Sequence, residues 1–152
     1  MSNGYGSAVG LSVSASMPSM KLEATKVIKV GFLAPLSGNV SAWGEPGLKG
    51  CLIWADWINS QGGIRIGVES YKIEIVPYDN EYNPDKTLLG LRKLIKEDDV
   101  HFIMMLGGDT LVPAVQEVIN RRKMLVSTLL PSDLSPNTPY IIAPCEVHPI
   151  YN

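Results

Sequence analysis

One glycine-rich polar segment has residue types that bind small molecules. Gly107 and Gly108 lead into Asp109 and Thr110, between an apolar run and a helical pattern. Glycine lets backbone N–H groups approach a ligand closely, and the start of a helix carries partial positive charge. The segment therefore favours an anion such as a carboxylate, although Asp109 would oppose an anion and could instead hold an ammonium or hydroxyl group. Thr110 is predicted to cap the helix besides contacting a ligand, which would place Pro113 at the third helical position.

A tryptophan in a second loop could form an apolar wall beside such a ligand. Trp43 stands directly before Gly44, at the end of a loop that follows an apolar run. Tryptophan presents a large flat surface with a single polar N–H group. Trp43 is therefore a candidate for contact with a ligand side chain, and the alternative is that it packs against its own helix.

Catalytic and cofactor motifs are absent from the sequence. There is no Gly-x-x-x-x-Gly-Lys phosphate loop, no Gly-x-Gly-x-x-Gly after a strand and no Gly-x-Ser-x-Gly nucleophile turn. The two histidines, His101 and His148, lack the Cys/His spacing of metal sites. His101 is interpreted as a structural residue and His148 as part of a loop without chemistry. The sequence thus predicts a binding protein and not an enzyme, with no metal and no cofactor.

Charge and composition narrow the remaining classes of function. The 152 residues fit one domain, and 13 Lys and Arg are outnumbered by 15 Asp and Glu. A net charge of −2 argues against nucleic acid, because phosphate contacts need a positive surface. No apolar run approaches the roughly 18 residues of a membrane span. Residues 1–26 are predicted to be a flexible segment or the remnant of a secretory signal, and Cys51 and Cys145 are predicted to be free thiols.

The spacing of apolar residues predicts the frame that must position these loops. Short β-branched runs alternate with helical patterns, which is typical of a parallel sheet covered by helices on both faces. Right-handed crossovers favour a doubly wound α/β sheet of order 2-1-3-4-5, and such sheets bind ligands outside the carboxyl ends of their strands. The loops expected at that edge are 35–43, 107–110 and 127–135. The predicted strands are 27–34, 71–78, 102–106, 124–129 and 140–142, and the predicted helices contain residues 48–58, 84–95 and 111–123.

Local signals mark where several of these elements begin and end. Asn83, Pro84 and Asp85 combine a capping side chain, a proline for the first helical position and an acid for the first turn. Gly62–Gly63 predicts the end of the first helix. Pro77 places the second strand near a sheet edge, since proline has no N–H group for a central strand to donate.

The order of several short motifs resembles the leucine/isoleucine/valine-binding family of periplasmic solute-binding proteins. Each motif is common alone, and it is the ordered set from Val27 to about Ala143 that carries the resemblance. The motifs are the first strand and loop at Gly31–Gly38, the aromatic-Gly pair Trp43–Gly44, the helix end Asn59–Ile64, the Asp79 and Asn83–Lys86 region, and the helix Leu91–Ile95.

The resemblance implies a ligand site on the first of two lobes. In that family the first lobe holds the head group of an amino acid with the loops after the third and fourth strands, through backbone and hydroxyl groups. An aromatic residue of the first loop flanks the ligand side chain. Carried over to this sequence, the implied ligand-binding residues are Trp43, Gly108, Asp109, Thr110, Thr128, Leu129 and Leu130.

Two departures from the family pattern bear on the ligand. Asp109 stands where the family tends to have Ser. Residues 127–131 read Ser-Thr-Leu-Leu-Pro, where the family usually has Ser-Pro-x-Ala-Thr. The expected ligand is therefore an amino acid, or else a more apolar or aromatic carboxylate or an amide.

The resemblance implies that the protein is the substrate-binding component of an ABC importer. It would then work outside the cytoplasm, with a transporter permease as its partner. Family members continue into a second lobe, so residues 27–152 are expected to form the amino-terminal lobe alone. Apolar surface near Pro149–Asn152 is then expected to promote self-association. The alternative is a ligand-sensing regulatory or receptor domain built on the same lobe. A receiver-like signalling domain shares the strand order, but it needs clustered acids where Ala34–Ser37 stand.

Overall fold

Six strands form the sheet at the centre of the molecule. A computed structural model of the chain describes residues 26–144. Of the predicted N-terminal segment it describes Lys26 alone, and Cys145, His148 and Pro149–Asn152 lie outside the described residues. The strands are β1 (Lys26–Ala34), β2 (Ile64–Ile66), β3 (Glu69–Asp79), β4 (Phe102–Met105), β5 (Val126–Thr128) and β6 (Ile141–Ile142), in the order β2-β3-β1-β4-β5-β6.

The five parallel strands confirm the predicted order. Without β2 they run 2-1-3-4-5 when numbered along the chain. The sequence analysis missed β2 because its 3 residues are too few to show a period. It pairs antiparallel with the start of β3 across a two-residue turn, in which Gly67 has a φ of +62°. Since β2 pairs only with Glu69–Tyr71, the rest of β3 lies at the edge of the described sheet, as Pro77 predicted.

Three helices cover the sheet: α1 (Ser41–Ser60), α2 (Pro84–Lys96) and α3 (Pro113–Arg122). Helix α2 begins as predicted, because the Asn83 side chain accepts a hydrogen bond from the Lys86 N–H at 3.0 Å and Pro84 is the first helical residue. Helix α1 begins earlier than predicted. Trp43 therefore lies in the first turn of α1 and not in the preceding loop.

The start of α3 corrects the capping role predicted for Thr110. Val112 is the N-cap residue, without a side-chain cap, and Pro113 is the first helical residue and not the third. A residue before proline prefers an extended backbone, and the first helical N–H has no intrahelical partner for proline to remove. Thr110 instead belongs to a 3₁₀ turn, and its buried hydroxyl donates to the carbonyl oxygens of Leu106 and Gly107 at 3.1 and 3.0 Å.

The main core lies between the sheet and helices α2 and α3. Alternate residues of the strands point to this side, which is why Ile103 and Met105 belong to this core whereas Met104 packs on the other side of the sheet. Helix α1 packs on that other side, over Val30 and Phe32. The fully buried side chains of the main core are Leu33, Leu91, Leu94, Ile103, Val115, Ile119 and Val126.

Helix α1 covers one half of its face of the sheet, and the other half of that face is left open in the described structure. The register partners Phe32, Met104, Ser127 and Ile142 form a row across β1, β4, β5 and β6 on this side. Phe32 is buried beneath α1, whereas Ile142 at the far end of the row is exposed. Within residues 26–144 no helix other than α1 lies on this side. We refer to this surface as the open face, and its residues are Phe102, Met104, Ser127, Leu129 and Ile142.

The flank of α1 beside the open face is apolar. Cys51 marks this flank, because its Sγ atom lies 3.8 Å from the Sδ atom of Met104. The opposite flank contains Asn59, whose side chain bonds both backbone groups of Ile73 in β3 at 2.8 Å. Successive residues of an α-helix are rotated by about 100° about the helix axis, and this rotation places the three tryptophans of the chain on the same flank as Cys51. The exposed apolar residues of this flank and the adjoining outer surface are Trp43, Ile53, Trp54 and Trp57.

Candidate functional site

A cavity of about 250 Å³ lies at the carboxyl edge of the sheet. Its walls come from the connections before α1, after β3, after β4 and after β5. These connections converge because parallel strands all end at one edge, where open α/β sheets bind ligands. The lining residues are Val40, Trp43, Tyr82, Leu106 and Leu130. The lining is apolar apart from one phenol hydroxyl and one indole N–H, so the cavity suits an apolar or aromatic group.

Trp43 lies on the surface at this cavity because the first turn of α1 sits directly on the end of β1. Gly44 is buried there, and a Cβ atom on it would lie 2.0 Å from the carbonyl oxygen of Pro35. The close approach holds the first turn against the strand. The neighbouring Trp43 is left 72% exposed, which is the exposure of a surface side chain and not of one packed under its helix.

Tyr82 is a lining residue that the sequence analysis did not single out. It follows β3 in a turn where Glu81 and Tyr82 both have left-handed backbone, with φ of +49° and +55°. Asp79 accepts a hydrogen bond from the Glu81 N–H at 2.9 Å, and Asn80 accepts one from the Tyr82 N–H at 3.0 Å. Asn80 is fully buried and donates to the Thr87 hydroxyl at 2.9 Å. An Asp-Asn pair at a strand end is a turn signal, and it could have drawn attention to this loop.

Asp79 ties two loops of the cavity together. Its carboxylate accepts hydrogen bonds from the N–H groups of Leu36 at 2.8 Å and Glu81 at 2.9 Å. Burial by itself raises the pKa of Asp79, but hydrogen bonds from Ser37, Leu36 and Glu81 outweigh burial and hold the pKa below its ordinary value. A lowered pKa means that the carboxylate contributes stability above its unfolded pKa and loses it as the pH falls through the folded pKa.

Replacing Asp79 with alanine is expected to lower the free energy of unfolding by about 2 kcal/mol at neutral pH, because two backbone N–H groups lose a charged acceptor. The difference from wild type should shrink as the pH falls below about 4, because Asp79 is then protonated in the unfolded chain, and it should be lost once the pH has passed through the lower pKa of the folded state. Denaturant unfolding at a series of pH values measures both effects. Asp56→Ala is the control, since Asp56 is exposed on α1 and should change stability by less than about 0.5 kcal/mol. An Asp79→Ala difference that stays constant with pH would contradict this account.

Asp133 connects the glycine-rich loop with the end of β5. Its two carboxylate oxygens accept the Gly108 N–H at 3.0 and 3.3 Å, and Oδ2 accepts the Thr128 hydroxyl at 2.5 Å. A Cβ atom on Gly107 would lie 1.7 Å from Oδ2, so this approach needs glycine. Gly108 borders the cavity, because a Cβ atom on it would lie 2.9 Å from Leu130 Cδ1. The sequence analysis placed Asp133 in the loop 127–135 without giving it a role.

Four of the seven predicted site residues lie at or next to the cavity. Trp43 and Leu130 belong to its lining and Gly108 borders it. Thr128 lies one hydrogen bond away from Gly108, through the carboxylate of Asp133. The loops that carry these residues are far apart in sequence, and the carboxyl edge of the sheet brings them together.

The other three predicted site residues do not line this cavity. Asp109 is exposed, and the Thr110 hydroxyl is buried against backbone carbonyls. Leu129 lies on the open face, where it lines a second cavity of about 100 Å³. Cys51 lines the same second cavity as a free, half-buried thiol, and burial raises its pKa. None of the residues that line this second cavity is charged.

Residues 26–144 contain no group of three or more His, Cys, Asp or Glu side chains that could hold a metal ion. None of the helices in that range combines the length and the apolar character that a membrane-spanning segment requires. His101 is exposed and accepts a hydrogen bond from the Lys29 N–H at 3.3 Å.

Solved structures with the same fold are solute-binding proteins of ABC transporters. The substrate-binding protein LivJ of the branched-chain amino acid transporter of Streptococcus pneumoniae, in complex with isoleucine, is 22% identical with a TM-score of 0.67, over 78% of this chain and 33% of LivJ. A solute-binding protein from Rhodopseudomonas palustris, in complex with 3,4-dihydroxybenzoic acid, is 24% identical with a TM-score of 0.62, over 77% and 31% of the two chains. LivK, a leucine-binding protein of Thermotoga maritima, is 16% identical with a TM-score of 0.64, over 82% and 34%.

These similarities show the fold, and the chain spans about one third of the length of the proteins it resembles. A family model described as periplasmic binding protein matches residues 27–148, which is more than half of the chain. The match includes every strand and helix of the structure except the first residue of β1. The leucine/isoleucine/valine-binding type of fold expected from the sequence motifs is thereby confirmed. The chain belongs to the periplasmic binding protein family.

Proposed function

We propose that this chain forms one wall of the ligand site in the substrate-binding component of an ABC importer, which works outside the cytoplasm with a transporter permease. The observation that carries the proposal is the apolar cavity at the carboxyl edge of the sheet, to which four connections contribute. Its lining offers apolar contact and two hydrogen-bond donors, but no nucleophile paired with a base. The proposed role is therefore binding and not catalysis.

The proposed ligand has an apolar or aromatic body. Trp43 and Tyr82 offer two aromatic side chains to it, and Leu106 and Leu130 complete an apolar lining. The relatives described above were solved with isoleucine and with 3,4-dihydroxybenzoic acid, which both have such a body. An amino acid, an aromatic acid or an amide is the proposed ligand class.

A single lobe contacts such a ligand from one side. The exposure of Trp43 shows that the described residues do not cover the cavity from above, and the relatives are about three times as long as the part that matches. We therefore propose that residues 27–152 act as an amino-terminal lobe and that a second lobe completes the site. Tight binding then requires burial of the ligand between both lobes.

The 152-residue chain is accordingly expected to bind small amino acids, aromatic acids and amides no tighter than about millimolar, or roughly −4 kcal/mol. Replacing Trp43 with alanine should weaken that binding by about 1 to 3 kcal/mol, since a large apolar contact is lost. The melting temperature should stay almost unchanged because the side chain is exposed. Titrations followed by NMR shifts of the Tyr82 and Leu130 resonances, with thermal unfolding of the same samples, measure both quantities.

Trp57→Ala is the matched control for Trp43→Ala. Trp57 lies on the same flank of α1, is 58% exposed and lines neither cavity. Its replacement should leave the titrations unchanged. The proposal fails if Trp43→Ala lowers the melting temperature and leaves affinity per folded molecule unchanged. A micromolar ligand of the 152-residue chain would contradict the need for a second lobe.

We also propose that the chain associates with itself through the open face and the apolar flank of α1. The open part of the sheet spans β4 to β6, about 10 Å at ordinary strand spacing, which is the width of one helix. A two-fold axis could therefore place α1 of each copy over the open face of its partner, since such an interface is self-complementary. Large exposed apolar patches drive association of this kind.

The association should appear in sedimentation velocity as a concentration-dependent dimer. Replacing Ile53 with aspartate should give a monomer, because Ile53 is 71% exposed on the outer surface of α1 and a charge there would be buried in the interface. Val68→Asp is the control, since Val68 is exposed in the turn between β2 and β3 and lies away from the open face. A wild-type chain that stays monomeric at high concentration would rule this association out.

A further inference from the structure

We propose that the carboxylate of Asp133 occupies the position in this lobe where a ligand carboxylate would bind, so that the lobe selects ligands whose polar group is a neutral or cationic hydrogen-bond donor. The inference rests on the proposed function and specifies the ligand class of that site. Asp133 thereby becomes a specificity-determining residue of the lobe.

The donors that a ligand carboxylate needs are already bound. The Gly108 N–H points at both oxygens of Asp133, at 3.0 and 3.3 Å. The Thr128 hydroxyl accepts the Leu130 N–H at 3.2 Å and donates its own hydrogen to Asp133. Gly108 lies in the loop after β4, next to the cavity-lining Leu130, and Thr128 is the last residue of β5. An incoming carboxylate would have to displace Asp133 in order to reach them.

The backbone holds Asp133 in this position from both sides. Its N–H donates to the carbonyl oxygen of Leu130 at 3.1 Å, and its carbonyl oxygen accepts the Thr138 hydroxyl at 3.1 Å. Thr138 is itself buried. On the other side of the carboxylate, Gly107 leaves the space that a Cβ atom would fill, at 1.7 Å from Oδ2. The fit between the carboxylate and the glycine-rich loop is therefore a built feature of the fold.

The remaining capacity of Asp133 is that of an acceptor. None of the ion pairs between described residues includes Asp133. A carboxylate has about four acceptor sites, and three hydrogen bonds from Gly108 and Thr128 leave room for another donor. A second carboxylate beside it would meet a like charge, whereas a hydroxyl, an amide N–H or an ammonium group would not.

Rescue of the Asp133→Ala variant by added acetate tests whether the carboxylate of Asp133 occupies a carboxylate-binding position. Asp133→Ala should lower the melting temperature, and acetate at ten times its dissociation constant should raise it again by about 4 °C. The Gly108 amide resonance of this variant should shift with acetate and saturate. Wild type and the control Asp56→Ala should show neither response, and adding Thr128→Val to Asp133→Ala should abolish both. The proposal would be overturned if acetate changed the melting temperature and the Gly108 resonance of folded Asp133→Ala no more than chloride does at the same ionic strength.

Benzamide and benzoate test the selectivity of the lobe. They test the proposal even if Asp133→Ala does not fold with or without acetate. Wild type should bind benzamide about ten-fold more tightly than benzoate, because like charges repel across the site. In Asp133→Asn, which keeps the shape and removes the charge, the ratio should fall to about one. Equal binding of the two probes by wild type would overturn the selectivity. Binding of neither probe at concentrations far above millimolar would contradict the proposed function and the selectivity together, whereas a positive acetate rescue would still establish the occupied carboxylate position.

Discussion

Replacing Gly44 with alanine is expected to lower the free energy of unfolding by about 3 kcal/mol, the upper end of the usual range for an overpacked site. The added Cβ atom would lie 2.0 Å from the carbonyl oxygen of Pro35 and 3.2 Å from the Cβ atom of Ala34. Ala34 is the last residue of β1 and Pro35 follows it directly, so α1 would have to move away from the sheet. Thermal unfolding should show a melting temperature lower by about 10 °C.

The matched control is Gly50→Ala, six residues further along the same helix. A Cβ atom on Gly50 would meet nothing within 4 Å. Alanine favours a helix over glycine by roughly 0.5 to 1 kcal/mol, so this substitution should stabilise the chain. Opposite signs for the two substitutions identify the contact with Pro35 as the cause. If both substitutions stabilised the chain, the first turn of α1 would not sit against β1 as described.

Replacing Leu91 with alanine is expected to cost about 3 kcal/mol of stability or more, since truncating a buried leucine leaves a cavity besides removing apolar burial. Leu91 is fully buried in α2, in the core that also contains Leu33 and Leu94. Urea unfolding with a constant slope measures the change. Leu89→Ala is the control, because Leu89 lies on the exposed side of the same helix and should change stability by less than about 0.5 kcal/mol.

The outcome of these paired substitutions bears on the site as well as on the core. Helix α1 carries Trp43 to the cavity, and its first turn stays in place only while Gly44 lies against Pro35. Helix α2 begins at Pro84, directly after the turn that presents Tyr82. Packing of both helices therefore determines where the two aromatic side chains of the cavity stand. A site built on helix and strand ends is held more precisely than one on free loops.

The parts of the fold that could be predicted are those encoded by local patterns. The apolar run of β4 and the alternation of β3 indicated strands because side chains point to opposite faces in turn. The start of α2 was marked by Asn83 and Pro84, whose effects act within one helical turn. General rules of connection then sufficed for the order of the five parallel strands. The strand β2 and the first turn of α1 escaped because their residues show no period of their own.

The sequence by itself determined the doubly wound sheet, the family and the edge at which a ligand site must lie, since each follows from short-range patterns and motif order. Only the tertiary structure decided which side chains meet at that edge. Asp133 reaches Gly108 across 25 residues of sequence, and Tyr82 joins Trp43 and Leu130 at one cavity. Contacts of this kind depend on the angles at which separate loops leave the sheet, and no local pattern records those angles. The open face likewise became visible only once the helices had been assigned to the two sides of the sheet, because burial is a property of the packed molecule and not of a segment.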